Sequence, residues 1–167
     1  MEISQLVVIW KDLMELMQNK DFDAALVTVE NLIDQGCVSS DLLELRGRLI
    51  QIADKSGMLF PDLTLEIAKS SFESAIAISR QPIGPLIELG YYKYAVMVDR
   101  TAEALAHFDD AEQNAMSGLK DALIGQAKCH LELGDQSKAN AILDRLRLLY
   151  PYDEDSKIAI LEMEENF

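Results

Sequence analysis

The chain has 167 residues, of which 49% are hydrophobic and 26% are charged, so its composition is that of a folded domain and excludes global disorder. Its 29 acidic and 15 basic residues give a net charge of −14, which disfavours nucleic acids and anionic lipid surfaces as partners. The same acidity suits a basic protein partner, or it simply keeps the chain soluble.

Targeting and redox signals are few. The N-terminus shows no basic region followed by an apolar stretch, so we expect no secretory signal. No apolar run approaches the roughly 20 residues that a membrane-spanning helix needs. Cys37 and Cys129 stand far apart and without metal-binding spacing, as is typical of reduced structural thiols. Together these features predict a cytoplasmic protein.

Apolar residues recur at three- and four-residue steps along almost the whole chain, which predicts amphipathic helices separated by short polar turns. In chain order the predicted helices are 3–18, 22–35, 41–54, 64–79, 84–98, 102–115, 119–133, 136–149 and 155–165. The run 41–44 resembles a capping box, and Thr101 is suited to be the N-cap of an alanine-rich helix. Gly134 and Asp135 predict a tight turn, and Pro151 follows a predicted helix end. The fold class is therefore all-α.

Four of these helices share one pattern, in which a small residue is followed after four positions by a large apolar residue and after three more by another apolar one. The four sets are Ala25-Val29-Leu32, Ala68-Phe72-Ala75, Ala104-Phe108-Ala111 and Ala139-Leu143-Leu146. This step keeps all three side chains on one helix face, and the alanine allows a neighbouring helix to approach closely. The preceding helices carry small residues of their own, Gly47, Gly90 and Ala127. The pattern predicts consecutive helical hairpins, each packed on the next.

These residues resemble the tetratricopeptide repeat family. The third unit matches best, with Leu86, Leu89-Gly90, Ala104, Phe108 and Ala111, and the fourth has Leu123, Ala127, Gly134-Asp135, Ala139 and Pro151. The second unit has Leu43, Gly47, Ala68, Phe72, Ala75 and Pro82, and the first is weaker, with Trp10, Phe22, Ala25, Val29 and Leu32. The resemblance covers about residues 3–151 and implies one domain over 1–167, an α-α superhelix of about four hairpins with a C-terminal capping helix. The spacing departs from the family near residues 55–63, where we expect an insertion.

Catalytic and metal-binding patterns are not apparent. Cys129 and His130 are adjacent, so on a helix their side chains point about 100° apart and do not converge on one ligand. His107 and His130 are therefore interpreted as packing residues. The acidic runs lack the spacing of a calcium loop, and no glycine-rich phosphate loop occurs. We predict that the protein is not an enzyme and has no catalytic residue, metal site or cofactor.

The family resemblance implies a binding groove lined by the first helix of each hairpin. The corresponding positions here are Trp10, Met14 and Met17, then Glu44, Arg48 and Gln51, then Ile87, Tyr91 and Tyr94, and finally Ile124, Lys128 and Leu131. Among them we expect Tyr91, Tyr94, Ile87, Met14, Arg48 and Lys128 to bind the partner, whereas Trp10 is more consistent with the core. A groove with apolar and aromatic residues and few charges suits an extended or helical peptide with apolar anchors.

The resemblance thus implies a protein-binding module, but it leaves the biological use open. The chain could be a general adaptor, a bacterial immunity protein that neutralises a basic toxin domain, or a secretion-type chaperone that holds a secreted protein. The groove positions lack the lysines, arginines and asparagines with which one variant of the family grips a C-terminal carboxylate, so that mode of binding is not expected. A neighbouring gene for a toxin or for a secretion component would separate the last two uses.

Overall fold

The computed structural model describes the backbone of residues 3–53, 62–97 and 99–166, and these segments form eight α-helices and no β-strand. The helices are α1 (Ile3–Gln18), α2 (Phe22–Asp34), α3 (Ser40–Ile52), α4 (Leu65–Ile78), α5 (Ile83–Ala95), α6 (Thr101–Glu132), α7 (Gln136–Leu149) and α8 (Glu154–Asn166). Within the described segments, no helix is long and apolar enough to cross a membrane. The all-α prediction is confirmed, and the insertion expected near residues 55–63 lies outside the described residues except for its last two.

Two predicted helix starts were wrong by one or two residues. The N-cap of α3 is Ser39, whose extended backbone lets its hydroxyl accept a hydrogen bond from the Leu42 N–H at 3.2 Å, so Asp41 already lies inside the helix. Thr101 is likewise the first helical residue rather than the cap, since the Arg100 carbonyl accepts from the Ala104 N–H at 2.9 Å.

Helix α6 is one helix of 32 residues, where we predicted two helices separated near Gly118. A glycine in a helix interior costs about 1 kcal/mol relative to alanine, which does not end a helix by itself. A proline would have broken the pattern, but none occurs between Pro85 and Pro151. The second helix of the third predicted unit and the first helix of the fourth are therefore continuous, which corrects the expected order of separate hairpins.

The chain divides into two compact units, residues 1–111 and 112–167, and α6 contributes residues to both. In the first unit each of the helices α1 to α5 packs against the next along the chain, and α3 also packs against α5. The core of this unit is formed by Leu13, Ala25, Leu26, Val29, Leu32, Leu42, Leu45, Leu49, Ile50 and Ala68. A smaller adjoining cluster contains Phe72, Leu89 and Tyr92.

Close helix approach in the first unit depends on glycines that face phenylalanine rings. The ring of Phe72 is fully buried, and a Cβ on Gly47 would lie only 2.5 Å from its Cε1. The same arrangement recurs one hairpin later, where a Cβ on Gly90 would lie 2.9 Å from the Phe108 ring. Each glycine therefore provides the space that the ring of the following helix fills.

An ion pair connects the other side of α3 to its neighbours. The Arg46 guanidinium donates to both carboxylate oxygens of Glu30 on α2, at 2.7 and 2.9 Å. It also lies 3.4 Å from the hydroxyl of Ser71 on α4, which in turn donates to the Ile67 carbonyl at 2.8 Å. The Arg46 side chain therefore lies between α2, α3 and α4 and connects the three helices.

The second unit has its own core, which α7, α8 and the C-terminal part of α6 share. Its buried residues are Leu123, Ala127, Leu131, Ala139, Ile142, Leu143, Leu146, Ile160 and Met163. The Tyr150 hydroxyl donates to the Met116 carbonyl at 2.5 Å, and Lys120 contacts Asp153 at 3.2 Å. The hydroxyl and the N–H of Ser156, each 2.7 Å from Asp153, hold the pKa of that carboxyl below its usual value, and Lys120 adds to the effect. Asp153 thereby caps α8.

Candidate functional site

Two helices that are distant in sequence place four of the predicted groove residues around one pocket. Trp10 and Met14 are four residues apart on α1, and Glu44 and Arg48 are four residues apart on α3, so each pair lies on one helix face. The four side chains surround a pocket of about 250 Å³. We call it the acidic pocket, lined by Trp10, Met14, Asp41, Glu44, Leu45 and Arg48.

Three carboxylates and one guanidinium determine the charge at the acidic pocket. Arg48 lies 3.9 Å from Glu44 and closer, 3.3 Å, to Glu88 on α5. Burial raises the pKa of the Glu44 carboxyl above its ordinary value; Glu88 and Asp41 raise it further, and Arg48 opposes them. The expected groove with few charges is therefore not what this part of the face shows.

The Glu44 carboxylate also lies against the first turn of α5. A Cβ on Gly84 would lie 2.5 Å from Oε2 of Glu44, so the absence of a side chain at this position makes room for the carboxylate. Unsatisfied N–H groups give a helix N-terminus a partial positive charge, which favours a nearby carboxylate. Glu44 thus connects α3 to α5 while it lines the acidic pocket.

The predicted residues of α5 form a stripe on the same unit. Ile87, Tyr91 and Tyr94 follow each other at steps of four and three residues, which places them along one face of the helix. Ile87 is half-buried, whereas Tyr91 and Tyr94 are 59% and 62% exposed. The Tyr91 ring packs edge-on against Phe108, with 5.1 Å between the ring centroids. Tyr91 is therefore held in place while most of its surface stays accessible.

The other predicted groove residues differ in how far they are exposed. Lys128 lies on α6 in the second unit and is exposed. Leu131 is buried in the core of that unit, so its assignment to a groove was wrong. Trp10, which we expected to pack in the core, is 40% exposed, because the residue that fills the interior next to α1 is the fully buried Leu13.

Trp10 also lines a second, larger pocket of about 410 Å³. We call it the apolar pocket, lined by Trp10, Leu32, Gly36, Cys37, Val38, Ser39 and Leu42. Its position follows from the turn between α2 and α3, where Gly36 has a positive φ of 81° that leads the chain out of α2. Val38 in this turn is 58% exposed, so much of its side chain is accessible to a ligand. Sequence analysis did not find this pocket, since the turn lies outside the groove positions that we inferred from the resemblance.

Among the described residues, the side chains that could bind a metal ion do not form a cluster. Both cysteines are free, and within the described residues no group of three or more His, Cys, Asp or Glu side chains could hold a metal ion. Both ring nitrogens of His107 and the Nδ1 of His130 are buried without a hydrogen-bond partner in the part of the chain that the structure describes. The polar atoms of the His107 ring are thus enclosed by neighbouring atoms, whereas for His130 this holds for one nitrogen.

We expect His107 to make the stability of the protein depend on pH. Burial, with the nearby Lys93, lowers the pKa of His107 below its ordinary value, while Asp110, Glu103 and Glu73 act in the opposite sense. The unfolded chain then binds the proton more readily, so the free energy of unfolding falls as pH decreases through the ordinary value of about 6.5 towards the lower folded pKa.

Urea unfolding at pH 7.5 and at pH 5.5 checks this expectation. A His107→Gln variant should lose less stability between the two pH values than the wild type does. An equal loss in both proteins would show that His107 titrates normally in the fold.

Both pockets have the chemistry of a binding surface: each combines the Trp10 indole with apolar side chains, and the acidic pocket adds the carboxylates of Asp41 and Glu44. Comparison of the chain with protein-family models, with curated proteins and with solved structures gave no match.

Proposed function

We propose that this protein is a non-enzymatic, tetratricopeptide-like module that holds a partner protein on the face formed by α1, α3 and α5. The observation that carries the proposal is the acidic pocket, because predicted groove positions from two helices, Trp10 and Met14 with Glu44 and Arg48, surround it. Such a face offers side chains from several helices to one extended or helical segment.

Contacts within the first unit support the repeat-like arrangement. Gly47 faces Phe72 and Gly90 faces Phe108, so two successive hairpins use the same small-to-large contact at the same repeat position. Helix α3 packs both against its hairpin partner α4 and against α5, the first helix of the next hairpin. In a superhelix of stacked hairpins, successive first helices are neighbours in this way.

The charge of the chain favours a basic partner. A net charge of −14 attracts a basic protein over long range and speeds its association, whereas close contacts determine how long the complex lasts. Exposed carboxylates are screened beyond about 8 Å at physiological ionic strength, so the association rate should fall as salt is added.

Replacing both Tyr91 and Tyr94 with alanine is expected to accelerate dissociation of the partner by about 5- to 30-fold, which corresponds to about 1–2 kcal/mol. Both rings are largely exposed, and tyrosines are frequent anchors of protein interfaces. Affinity purification from the organism that makes the protein identifies the partner, and surface plasmon resonance then measures the dissociation rate.

Tyr152→Ala is the matched control, since Tyr152 is 89% exposed and belongs to the second unit. It should leave the dissociation rate unchanged. A wild-type rate in the Tyr91 and Tyr94 double variant would move the interface away from α5 and contradict the proposed face.

A further inference from the structure

The apolar pocket and the acidic pocket are adjacent, and both are lined by Trp10. Asp41 and Leu42 are consecutive on α3; Asp41 lines the acidic pocket and Leu42 lines the apolar pocket. Two adjacent residues of an extended peptide are about 3.3–3.6 Å apart along the chain. Because the two pockets share Trp10, a single bound segment that passes over this side chain can place residues close together in sequence in both pockets.

The apolar pocket suits one large aliphatic or aromatic side chain. Its volume of about 410 Å³ lies within the range of about 300–1,000 Å³ that ligand pockets have in proteins. Leu32, Leu42 and Val38 form much of its wall, and no carboxylate or basic side chain lines it among the described residues. Burial of an apolar group here would remove the indole and the exposed Val38 from water, which is favourable by about 25 cal/mol per Å².

The acidic pocket suits a cation. Asp41 and Glu44 line it and Glu88 lies next to it, while Arg48 is the guanidinium that contacts Glu44 and Glu88. The Glu44 side chain is only 21% exposed, so its carboxylate is partly desolvated and gains from a further positive charge. An arginine could pair with two carboxylate oxygens and lie on the Trp10 indole, an arrangement that a cation–π contact favours.

We propose that the bound segment of the partner carries a large apolar residue with an arginine or a lysine one to three positions away. The apolar residue fills the apolar pocket, and the basic residue enters the acidic pocket between Trp10 and the carboxylates of Asp41 and Glu44. This inference rests on the proposed function, and it adds the chemical identity of the ligand. An acidic segment would instead meet three carboxylates, and Arg48 already contacts two of them.

Selection of binders from a displayed library of random 12-residue peptides tests the proposal. Because the library is unbiased, we expect enrichment of peptides in which Leu, Ile, Met or Phe stands within three positions of Arg or Lys. Trp10 is the only tryptophan of the chain, so its fluorescence should change when a selected peptide is added. Enrichment of peptides that lack a basic residue near the apolar one would overturn the proposal, and so would a selection that yields no binder.

Charge reversal in the acidic pocket distinguishes direct contact with its carboxylates from attraction to the overall negative charge of the protein. Asp41→Lys should weaken the binding of a selected peptide by about tenfold or more, and selection against Glu44→Lys should shift the preferred residue from basic to acidic. Asp41 is exposed, so its replacement leaves the core intact even if Glu44→Lys disturbs the contact with Gly84. Glu112→Lys is the matched control, because it makes the same change of charge at an exposed position of the second unit and should bind like the wild type.

Two outcomes distinguish this inference from the proposed function. If selected peptides bind without a change in Trp10 fluorescence and are released faster by the Tyr91 and Tyr94 double variant, the face binds peptides but the two-pocket assignment is wrong. If Asp41→Lys and Glu112→Lys weaken binding equally, the carboxylates act only through the overall charge, which also contradicts the assignment.

Discussion

Replacing Phe72 with alanine is expected to lower the free energy of unfolding by about 3–5 kcal/mol. The ring is fully buried, packs with Leu89 and Tyr92, and fills the space opposite Gly47, so its removal leaves a cavity between α3, α4 and α5. Small domains are stable by only about 5–15 kcal/mol, and the loss is therefore a large fraction of the total.

Urea unfolding followed by circular dichroism measures this effect. Tyr152→Ala serves as the control for removal of an aromatic ring, since Tyr152 is almost fully exposed and its loss should change stability by less than about 0.5 kcal/mol. A loss of less than about 1 kcal/mol in Phe72→Ala would show that the ring does not occupy the buried site between α3 and α5.

Adding a single methyl group at Gly47 should destabilise the protein by about 1–3 kcal/mol. In Gly47→Ala the new Cβ would lie 2.5 to 2.8 Å from three carbons of the Phe72 ring, and a ring at the centre of the core has little room to move. The higher helix propensity of alanine, about 1 kcal/mol, offsets part of the loss.

Gly125→Ala is the control, because here the same substitution should raise the stability of the protein rather than lower it. Gly125 lies in the interior of α6, and apart from its chain neighbours and the nearby backbone of the helix itself no atom of the described residues would come within 4 Å of a Cβ there, so alanine should stabilise the protein by up to about 1 kcal/mol. Thermal unfolding of Gly47→Ala and Gly125→Ala shows whether the steric clash with Phe72 or the higher helix propensity of alanine has the larger effect at position 47. If both substitutions raised the melting temperature, the close contact between Gly47 and Phe72 would be excluded.

Local sequence patterns predicted the helices well where the apolar period was regular, and less well where a single residue had to decide a boundary. We predicted two helices, 102–115 and 119–133, where α6 is continuous, because the one glycine between them, Gly118, weakens a helix without ending it. Ser39 and Asp41 are both good N-caps, and only the extended backbone of Ser39 distinguishes them. Such choices depend on differences of about 1 kcal/mol, which tertiary packing can outweigh.

Sequence analysis could predict only those parts of the candidate site whose residues lie on one face of a single helix. Spacing of four residues placed Glu44 and Arg48 on a common face, and the spacing of three between Asp41 and Glu44 was an available signal for a third lining residue. Glu88 joins these residues because α3 packs against α5, and the apolar pocket depends on the turn at Gly36. Neither arrangement leaves a periodic signal in the sequence.

The contact between Gly47 and Phe72 also constrains how this sequence can evolve. A side chain at position 47 costs stability as long as the Phe72 ring is present, because the sequence that holds both is overpacked. If the ring is lost first, the intermediate instead contains a cavity, whose cost a later methyl group at position 47 partly repairs, so each change is tolerated better in the presence of the other. Substitutions at the two positions are therefore expected to occur together, although 24 residues lie between them. The same dependence is expected in weaker form for Gly90 and Phe108, because the Phe108 ring is only half-buried.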